Sequence, residues 1–470
     1  MNEILGYKVD EINYSKVISK CNSGEIVKKD NNQFLIINQI NFNEREEKIF
    51  EKLFNEIKQT KIKISKKSDI YFFVKEYCIE NMLLLNKEER EKILYLLEQE
   101  VIEYSILTKL LNDQTFEEIV INGENKHLLV YHHVFGWLKT NIYFLTNEKI
   151  KTILNKMAAK QGKQLSYNCP ILNTVLDDGS RLNASMNPIA FSGINATIRK
   201  FKEIPLSPID IVNSEAINKK AMSFLWMAMQ TPISIMVCGN TGSGKTTTLN
   251  SLFCFLPKSE RIIVVEETPE IVLPQDHKIK LNTAEQIGIG LEKLIENTFR
   301  MRPDRVIVGE IRTSQEAKAF VNTMLAGQAK GSYATFHAES ANEAIERMNS
   351  FDIKKSYLKS IDLIIVQKRI QKINFKNNQR KEIRKVTQIC EILQGQNFNE
   401  LELNPIFEID NTNYNLVKKN ESIRVKNKIC ETFSIDEKEY QKLLKEKEKI
   451  FDKINNINFY EFFEFVERER

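Results

Sequence analysis

A glycine-rich loop near the middle of the chain carries the clearest chemistry. Residues 239–246 read GNTGSGKT and match the pattern GxxxxGK[ST] at every fixed position. The apolar run ISIMV precedes the loop, and a helical pattern follows it. In that setting the glycines let backbone N–H groups surround a phosphate, and the lysine places a positive charge between the β- and γ-phosphates. The loop therefore predicts a binding site for ATP and Mg²⁺.

The residues expected to contact the nucleotide are the loop itself and the threonine after it. They are Gly239, Asn240, Thr241, Gly242, Ser243, Gly244, Lys245, Thr246 and Thr247. Within this set, Lys245 is the phosphate-binding cation, and Thr246 offers a hydroxyl to Mg²⁺.

Acidic residues that follow two other apolar runs could activate water or hold the metal. RVIVGEIR places Glu310 just past one strand, and RIIVVEETPEI places Glu266, Glu267 and Glu270 past another. Ligands of parallel sheets bind at the carboxyl ends of the strands. We assign water activation to Glu310, and magnesium binding and water positioning to Glu267 and Glu270. The predicted metal ligands are Thr246, Glu267 and Glu310; the alternative is that these glutamates are merely solvated.

His337 ends the run SYATFH, so it is expected at the same edge, near the γ-phosphate. A lone histidine is usually structural, and that alternative stays open for His337. Its place beside a phosphate loop and strand-end carboxylates favours a catalytic role.

The elements that position these residues follow from the apolar patterning. The strand-like runs ISIMV, RIIVVE, RVIVGE and SYATFH alternate with the helical runs TTTLNSLFCFL, GLEKLIENTFRM and TSQEAKAFVNTMLAG. This alternation predicts an α/β domain with a parallel sheet flanked by helices. We assign it to residues 213–470, with a helical region at its C-terminal end. Residues 204–212, which contain Pro205 and Pro208, are predicted to be a stiff linker.

Two further regions precede the linker. Residues 1–112 read as a mostly helical N-terminal extension, since FNEREEKIFEKLFNEIKQ and NKEEREKILYLLEQEVIEYSILTKLL have apolar positions three and four apart. Residues 113–203 alternate short strand patterns with one helix, which predicts an α+β domain.

Composition sets the broad class of the protein. A chain of 470 residues with 42% hydrophobic content should form several soluble domains. The net charge of +5 is too small to indicate nucleic-acid binding. Seven scattered cysteines and the charged start MNEILGYKVDE predict reduced thiols and a cytosolic protein without an export signal. The uncharged residues 221–238 are expected to be a buried helix and strand rather than a membrane span.

Four motifs in order resemble those of the type II and type IV secretion, pilus and archaellum assembly ATPases. They are GNTGSGKTTTLN, RIIVVEETPEI, RMRPDRVIVGEIRTSQEA and AGQAKGSYATFHAES, and the resemblance extends over residues 110–375. It implies a RecA-like P-loop core preceded by an α+β (PAS-like) domain and the helical extension. The chain has no cysteine between Cys254 and Cys390, so it lacks the four-cysteine zinc module of some bacterial members and looks like the archaeal or conjugation-like branches.

The resemblance also carries individual residues over. It gives Glu310 the catalytic role, and the acidic box reads Glu266-Glu267 where the family usually has Glu-Asp. The histidine motif usually begins Gly-His, but here Gln328 follows the glycine, so only His337 carries over.

Several arginines invite a role at the nucleotide. Arg181 in DDGSR and Arg199 in TIRK match positions from which family members bring arginines to the nucleotide. An ordinary surface ion pair is the alternative for each of them. The same question applies to Arg300, Arg302 and Arg305, for which packing and salt bridges within RMRPDR are the alternative.

The resemblance implies an ATP-hydrolysing, homo-hexameric motor at the cytoplasmic face of the cell membrane. Such a motor would act on a polytopic membrane platform protein, without inserting into the membrane itself, and would power a pilus-like or archaellum-like filament or protein secretion. One alternative is a ring ATPase that translocates nucleic acid, for which basic runs such as KNNQRKEIRK are the sequence support, although a solvated hairpin explains such a run equally well. The other is an adaptor that binds ATP without hydrolysing it.

Overall fold

The computed structural model divides the chain into two units, Met1–Lys202 and Glu203–Arg470. It describes residues 1–30, 32–38, 40–59, 64–201, 204–284, 287–327, 329–374, 379–397, 400–454 and 457–470. Gln328 and part of the run KNNQRKEIRK lie outside the described residues.

The first unit combines helices with one large sheet. Its helices are α1 (Asn2–Leu5), α2 (Glu44–Gln59), α3 (Lys67–Glu80), α4 (Lys87–Val101), α5 (Leu107–Asn112) and α6 (Asn147–Ala158). Its strands are β1 (Tyr7–Val9), β2 (Lys16–Cys21), β3 (Gly24–Lys29), β4 (Asn32–Ile37), β5 (Phe116–Asn122), β6 (His127–His132), β7 (Gly136–Phe144), β8 (Ile171–Val175), β9 (Arg181–Ser185) and β10 (Asn195–Arg199).

The sheet of the first unit joins the N-terminal residues to the α+β region. Its order is β2-β3-β4-β7-β6-β5-β10-β9-β8, with β1 beside β7. One hydrophobic cluster contains Leu35, Phe50, Leu97 and Ile119. The prediction of a mostly helical segment over residues 1–112 therefore missed β1 to β4. Two of these strands, β1 and β4, pair with β7, which lies more than a hundred residues further along the chain. Local periodicity does not reveal such a contact.

The second unit contains the phosphate loop. Its helices are α7 (Pro208–Asn213), α8 (Lys219–Met229), α9 (Lys245–Leu252), α10 (Leu291–Thr298), α11 (Ser314–Leu325), α12 (Ala341–Ser350), α13 (Lys355–Leu358), α14 (Arg424–Phe433), α15 (Glu437–Lys453) and α16 (Phe459–Arg468). Its strands are β11 (Ile235–Gly239), β12 (Ile262–Glu266), β13 (Lys278–Asn282), β14 (Arg305–Ile311), β15 (Gly331–Phe336), β16 (Leu363–Asn374), β17 (Gln379–Gln394), β18 (Leu401–Ile409) and β19 (Leu416–Lys418).

The predicted parallel sheet is confirmed in the second unit. Its order is β13-β12-β14-β15-β11-β16-β17-β18-β19, and the strands from β13 to β16 are parallel. The runs of valine and isoleucine in β11 and β12 are fully buried, as expected for strands covered on both faces. Antiparallel strands β17 to β19 extend the sheet on one side. This is the RecA-like core.

The predictions for two segments before the phosphate loop had different outcomes. The expected linker at residues 204–212 runs into α7, because Ser207 caps the helix and Pro208 occupies its first turn, where no N–H is needed. Residues 221–238 form most of α8 and β11, both buried, as predicted. No helix within the described ranges is long and apolar enough to cross a membrane.

Candidate active site

The candidate site lies where three neighbouring parallel strands end. The phosphate loop follows β11, Glu310 lies at the end of β14, and His337 follows β15. Strand β15 pairs with both β11 and β14, so the three carboxyl ends are adjacent. The order of the strands thus brings together residues that are almost a hundred positions apart.

The loop glycines permit a conformation that other residues would obstruct. A Cβ atom at Gly239 would lie 2.2 Å from the Gln367 carbonyl oxygen and 2.5 Å from Ser243 Oγ. Gly244, at φ +95°, precedes the first residue of α9. Left-handed backbone of this kind favours glycine. The glycine spacing therefore serves a tight loop that leads into a helix N-terminus, the arrangement that binds phosphate.

Lys245 lies inside the loop. Its side chain is 8% exposed, and its Nζ lies 3.9 Å from Glu310 Oε1. The same Nζ donates hydrogen bonds to the carbonyl oxygens of Gly239 (3.1 Å) and Asn240 (3.2 Å). The lysine thus holds its ammonium group between the loop backbone and the strand-end carboxylate.

Glu310 is held by three cationic or hydrogen-bonding neighbours. Its Oε1 lies 2.8 Å from His337 Nε2, and its Oε2 accepts a 2.7 Å hydrogen bond from Arg312 Nε. Burial raises the pKa of the Glu310 carboxyl, but the hydrogen bond from Arg312 and the charges of Arg312 and Lys245 outweigh burial and leave the pKa below its usual value. Glu310 is therefore an ionised carboxylate at neutral pH.

His337 is expected to be neutral beside this carboxylate. Burial and the nearby charge of Lys245 lower the pKa of His337, against the opposing attraction of Glu310. A neutral ring 2.8 Å from an ionised carboxylate donates through Nε2–H and keeps Nδ1 as an acceptor. His337 thus orients Glu310 and retains one basic nitrogen.

The three glutamates after β12 occupy different environments. Thr246 Oγ1 donates a 2.9 Å hydrogen bond to Glu270 Oε2, whereas Glu267 pairs with Arg312. Glu266 is 1% exposed and accepts the backbone N–H groups of Glu270 and Ile271 at 2.8 and 2.9 Å. Burial raises the pKa of Glu266 to about 7. Thr246 therefore contacts Glu270, whereas Glu267 contacts Arg312. The predicted metal-ligand set Thr246, Glu267 and Glu310 stays a prediction.

The loop residues fit a phosphate group. In the part of the chain that the structure describes, the buried Ser243 Oγ and Asn240 Oδ1 have no hydrogen-bond partner. Buried polar atoms usually have partners. The Ser243 hydroxyl can donate to a bound anionic group, and Asn240 Oδ1 can accept a hydrogen bond from water. The same described residues contain no cluster of three His, Cys, Asp or Glu side chains suited to a metal. Magnesium commonly takes one or two protein ligands besides phosphate oxygens, and Thr246 with Glu270 suits that arrangement.

The arginines proposed from the N-terminal region belong to the first unit. Arg181 begins β9 and Arg199 ends β10, where the two residues face each other in the antiparallel register. Arg199 also faces Glu118 of β5. Like charges directly opposite each other in a sheet are unfavourable, and Glu118 offsets this cost. Their role at the nucleotide stays a prediction.

Of the arginines in RMRPDR, Arg305 serves the packing of the core. Its side chain is fully buried, and its Nε donates to Glu260 at 2.7 Å. Nη1 donates to the Thr231 carbonyl and to the Tyr333 hydroxyl at 2.9 and 2.8 Å. For Arg305 the structure thus favours the salt-bridge alternative.

Sequence reasoning missed Arg312 and the residues of β16 and β17 that touch the loop. The signal for Arg312 was its position two residues after Glu310, directly after the end of β14, where its guanidinium can reach the Glu310 carboxylate. Gln367 and Arg384 gave no such signal. Gln367 Oε1 accepts a 2.6 Å hydrogen bond from Thr248, and Arg384 Nε donates a 3.0 Å hydrogen bond to the Gly242 carbonyl.

Several known proteins resemble this chain. The uncharacterized proteins MJ0781 and MJ0900 of Methanocaldococcus jannaschii are 37% and 31% identical to it over 228 and 296 residues. These matches cover 46% and 61% of this chain but 31% and 53% of the relatives, so the chain spans at most about half their length. The type IV secretion system protein VirB11 of Bartonella quintana is 28% identical over 57% of this chain and 90% of its own length.

One solved structure and one family model also match this chain. The pilus retraction motor PilT with bound ADP aligns with 69% of this chain and 85% of its own at 17% identity and a TM-score of 0.44, which is too low to add to the assignment. The family model described as type II/IV secretion system protein matches residues 101–455, well over half of the chain. The chain therefore belongs to the type II/IV secretion system protein family.

Proposed function

We propose that the second unit hydrolyses ATP and that the protein is a motor for filament assembly or protein secretion. The single observation that supports this most is the position of the Glu310 carboxylate, 3.9 Å from the Lys245 ammonium beside the phosphate loop. A phosphate loop alone could serve an adaptor that only binds nucleotide. An oriented carboxylate at the strand edge adds the group needed to activate water.

The proposed chemistry divides the work among the residues of the site. Bound Mg·ATP supplies the phosphoanhydride bond and the cation that balances its charge. The loop amides and Lys245 hold the phosphates, while Thr246 and Glu270 provide oxygen atoms for the metal. Glu310 orients a water molecule and accepts its proton, since its carboxylate is ionised at neutral pH. His337 keeps the Glu310 carboxylate in position through its Nε2–H.

Glu310→Gln tests this assignment. The amide keeps the shape of the side chain but cannot accept the proton, so hydrolysis should fall by a factor of about 10² to 10⁴. Binding of ATP should be largely retained, because Lys245 and the loop amides are unchanged. The matched control is Glu346→Gln, which replaces an exposed glutamate of α12 and should hydrolyse ATP like the parent.

The two readouts separate the candidate functions. The proposal is supported if Glu310→Gln, but not Glu346→Gln, loses ATP hydrolysis while it still binds ATP. Unchanged hydrolysis in that variant would remove Glu310 from the chemistry. A parent protein that binds ATP but releases no phosphate would favour the nucleotide-gated adaptor.

Assembly and partners form the finer part of the proposal. We expect a homo-hexamer that works at the cytoplasmic face of the membrane on a polytopic platform protein, as family membership suggests. In this view the first unit carries Arg181 and Arg199, and the second unit is the ATPase core. An arginine supplied across a domain or subunit gap can raise hydrolysis by about 10³ to 10⁵. The variants Arg181→Gln and Arg199→Gln should therefore lower turnover far more than ATP binding.

A further inference from the structure

We infer that Arg384 is a positioning residue for the phosphate loop. It lies on β17, in the hairpin that β16 and β17 form, more than 130 residues beyond the loop. Its Nε donates a 3.0 Å hydrogen bond to the carbonyl oxygen of Gly242, in the middle of the loop. The inference rests on the proposal that this loop holds nucleotide phosphate.

The hydrogen bond fixes the orientation of one peptide plane. In a planar trans peptide the carbonyl and the following N–H point in opposite directions. When Arg384 holds the Gly242 carbonyl, it also directs the N–H of Ser243 toward the opposite side, where that group lies 3.3 Å from the Asn240 carbonyl oxygen. Gly242 is at φ +73° and has no side chain to resist rotation of this peptide. An external donor is therefore an effective way to hold it.

The same hairpin also contacts the loop at its two ends. The Gln367 carbonyl oxygen lies against Gly239 at the start of the loop, where a Cβ atom would come within 2.2 Å of it. The side chain of Gln367 accepts the Thr248 hydroxyl in the first turn of α9 at 2.6 Å. Strand β16 thus supports the loop at its entry and exit, and Arg384 supports its middle.

Arg369 provides an internal comparison on the same hairpin. It pairs directly with Arg384 in the β16–β17 register, and both guanidinium groups approach Glu382, at 3.5 and 3.8 Å. Arg369 Nη1 would lie 3.2 Å from a Cβ atom at Gly242. Within the described residues it makes no hydrogen bond to the loop backbone. The two arginines therefore bring similar charge to the loop, and only Arg384 holds its carbonyl.

The test compares Arg384→Gln, Arg384→Lys and Arg369→Gln with the parent in the full chain. The probe is a fluorescent analogue of ADP, titrated in the presence of Mg²⁺, so that binding is measured without turnover. A hydrogen bond from a charged donor changes an equilibrium constant by about tenfold. Losing it lets the loop leave the conformation that binds phosphate, and the affinity for the probe falls by a similar factor. Arg384→Gln should therefore bind the probe about tenfold more weakly. Arg384→Lys keeps the positive charge but has a carbon atom in place of Nε, so it should lose a similar amount, and Arg369→Gln should stay within about twofold of the parent.

The outcomes separate positioning from general charge. If Arg384→Gln and Arg369→Gln lose the same amount of affinity for the probe, and added salt reduces both losses, simple electrostatic attraction explains the result and the inference is overturned. Parent-like affinity in Arg384→Gln would overturn it directly. If that variant does not fold, Arg384→Lys decides, because parent-like affinity in a variant that keeps the charge but lacks the Nε donor would contradict the inference. A parent that binds no probe would instead refute the proposed function.

Discussion

Replacing Glu266 with glutamine is expected to make the second unit less sensitive to rising pH. Glu266 is buried, and burial raises its pKa from the usual 4.5 to about 7. The carboxyl is protonated in both folded and unfolded chains below pH 4.5, so burial costs nothing there. Between pH 4.5 and 7 the unfolded chain ionises while the folded chain keeps its proton, and stability is lost as the pH rises.

The size of this loss follows from the shift. A difference of about 2.5 pKa units corresponds to about 3 kcal/mol in the free energy of unfolding, most of it lost between pH 5 and pH 8. Glutamine does not ionise, and its carbonyl oxygen can still accept the N–H groups of Glu270 and Ile271. From pH 5 to pH 8 the variant should therefore gain about 2 to 3 kcal/mol relative to the parent.

Tryptophan fluorescence can isolate the relevant unit. The chain has two tryptophans, Trp137 in the first unit and Trp226, fully buried, in the second. In a Trp137→Phe background, urea unfolding followed by the emission of Trp226 reports on the second unit. The parent and Glu266→Gln would be compared at pH 5 and pH 8. The same change in stability with pH for both proteins would refute the reasoning about burial.

Three further predictions concern the core and the loop. Arg305→Met should destabilise the second unit by about 3 kcal/mol, measured by urea unfolding, because the buried Glu260 loses both hydrogen bonds from Arg305 and keeps the 3.4 Å contact with Lys330. Restored stability in the double variant Arg305→Met, Glu260→Met would support this reason, and full stability of the single variant would contradict it. Gly239→Ala should abolish nucleotide binding in a titration, since its Cβ would lie 2.2 Å from a carbonyl oxygen of β16; parent-like affinity would count against the tight loop. Phe462→Ala, at a fully buried side chain of α16, should lower the free energy of unfolding by about 3 to 5 kcal/mol. The control Tyr460→Ala, at a side chain that is 43% exposed, should lower it far less. Similar losses in the two variants would contradict the packing of α16.

Local patterns identified the elements of the second unit and most residues of its site. The glycine spacing predicted the turn into α9, and apolar runs that end in Glu310 and His337 predicted side chains at one edge of a parallel sheet. Each of these signals is contained within a short run of consecutive residues. The strand order then brought Lys245, Glu310 and His337 together, as expected for the carboxyl ends of neighbouring parallel strands.

The sequence could not supply contacts that depend on the packing of distant segments. Glu270 rather than Glu267 contacts Thr246 because the chain turns after β12, where Glu266 accepts two backbone N–H groups. Arg384 contacts the loop through the pairing of β16 with β11, and nothing in its local sequence marks that role. Strands β1 and β4 were missed for the same reason, since both pair with the distant β7.

The central claim is that the site of the second unit hydrolyses ATP when chains assemble. The most direct measurement is phosphate release per chain as a function of protein concentration, at saturating Mg·ATP, for the parent and for Glu310→Gln. We predict that release by the parent rises with concentration to a plateau, while Glu310→Gln stays near the background throughout. Equal release by the two proteins, or no release by the parent at any concentration, would contradict the claim.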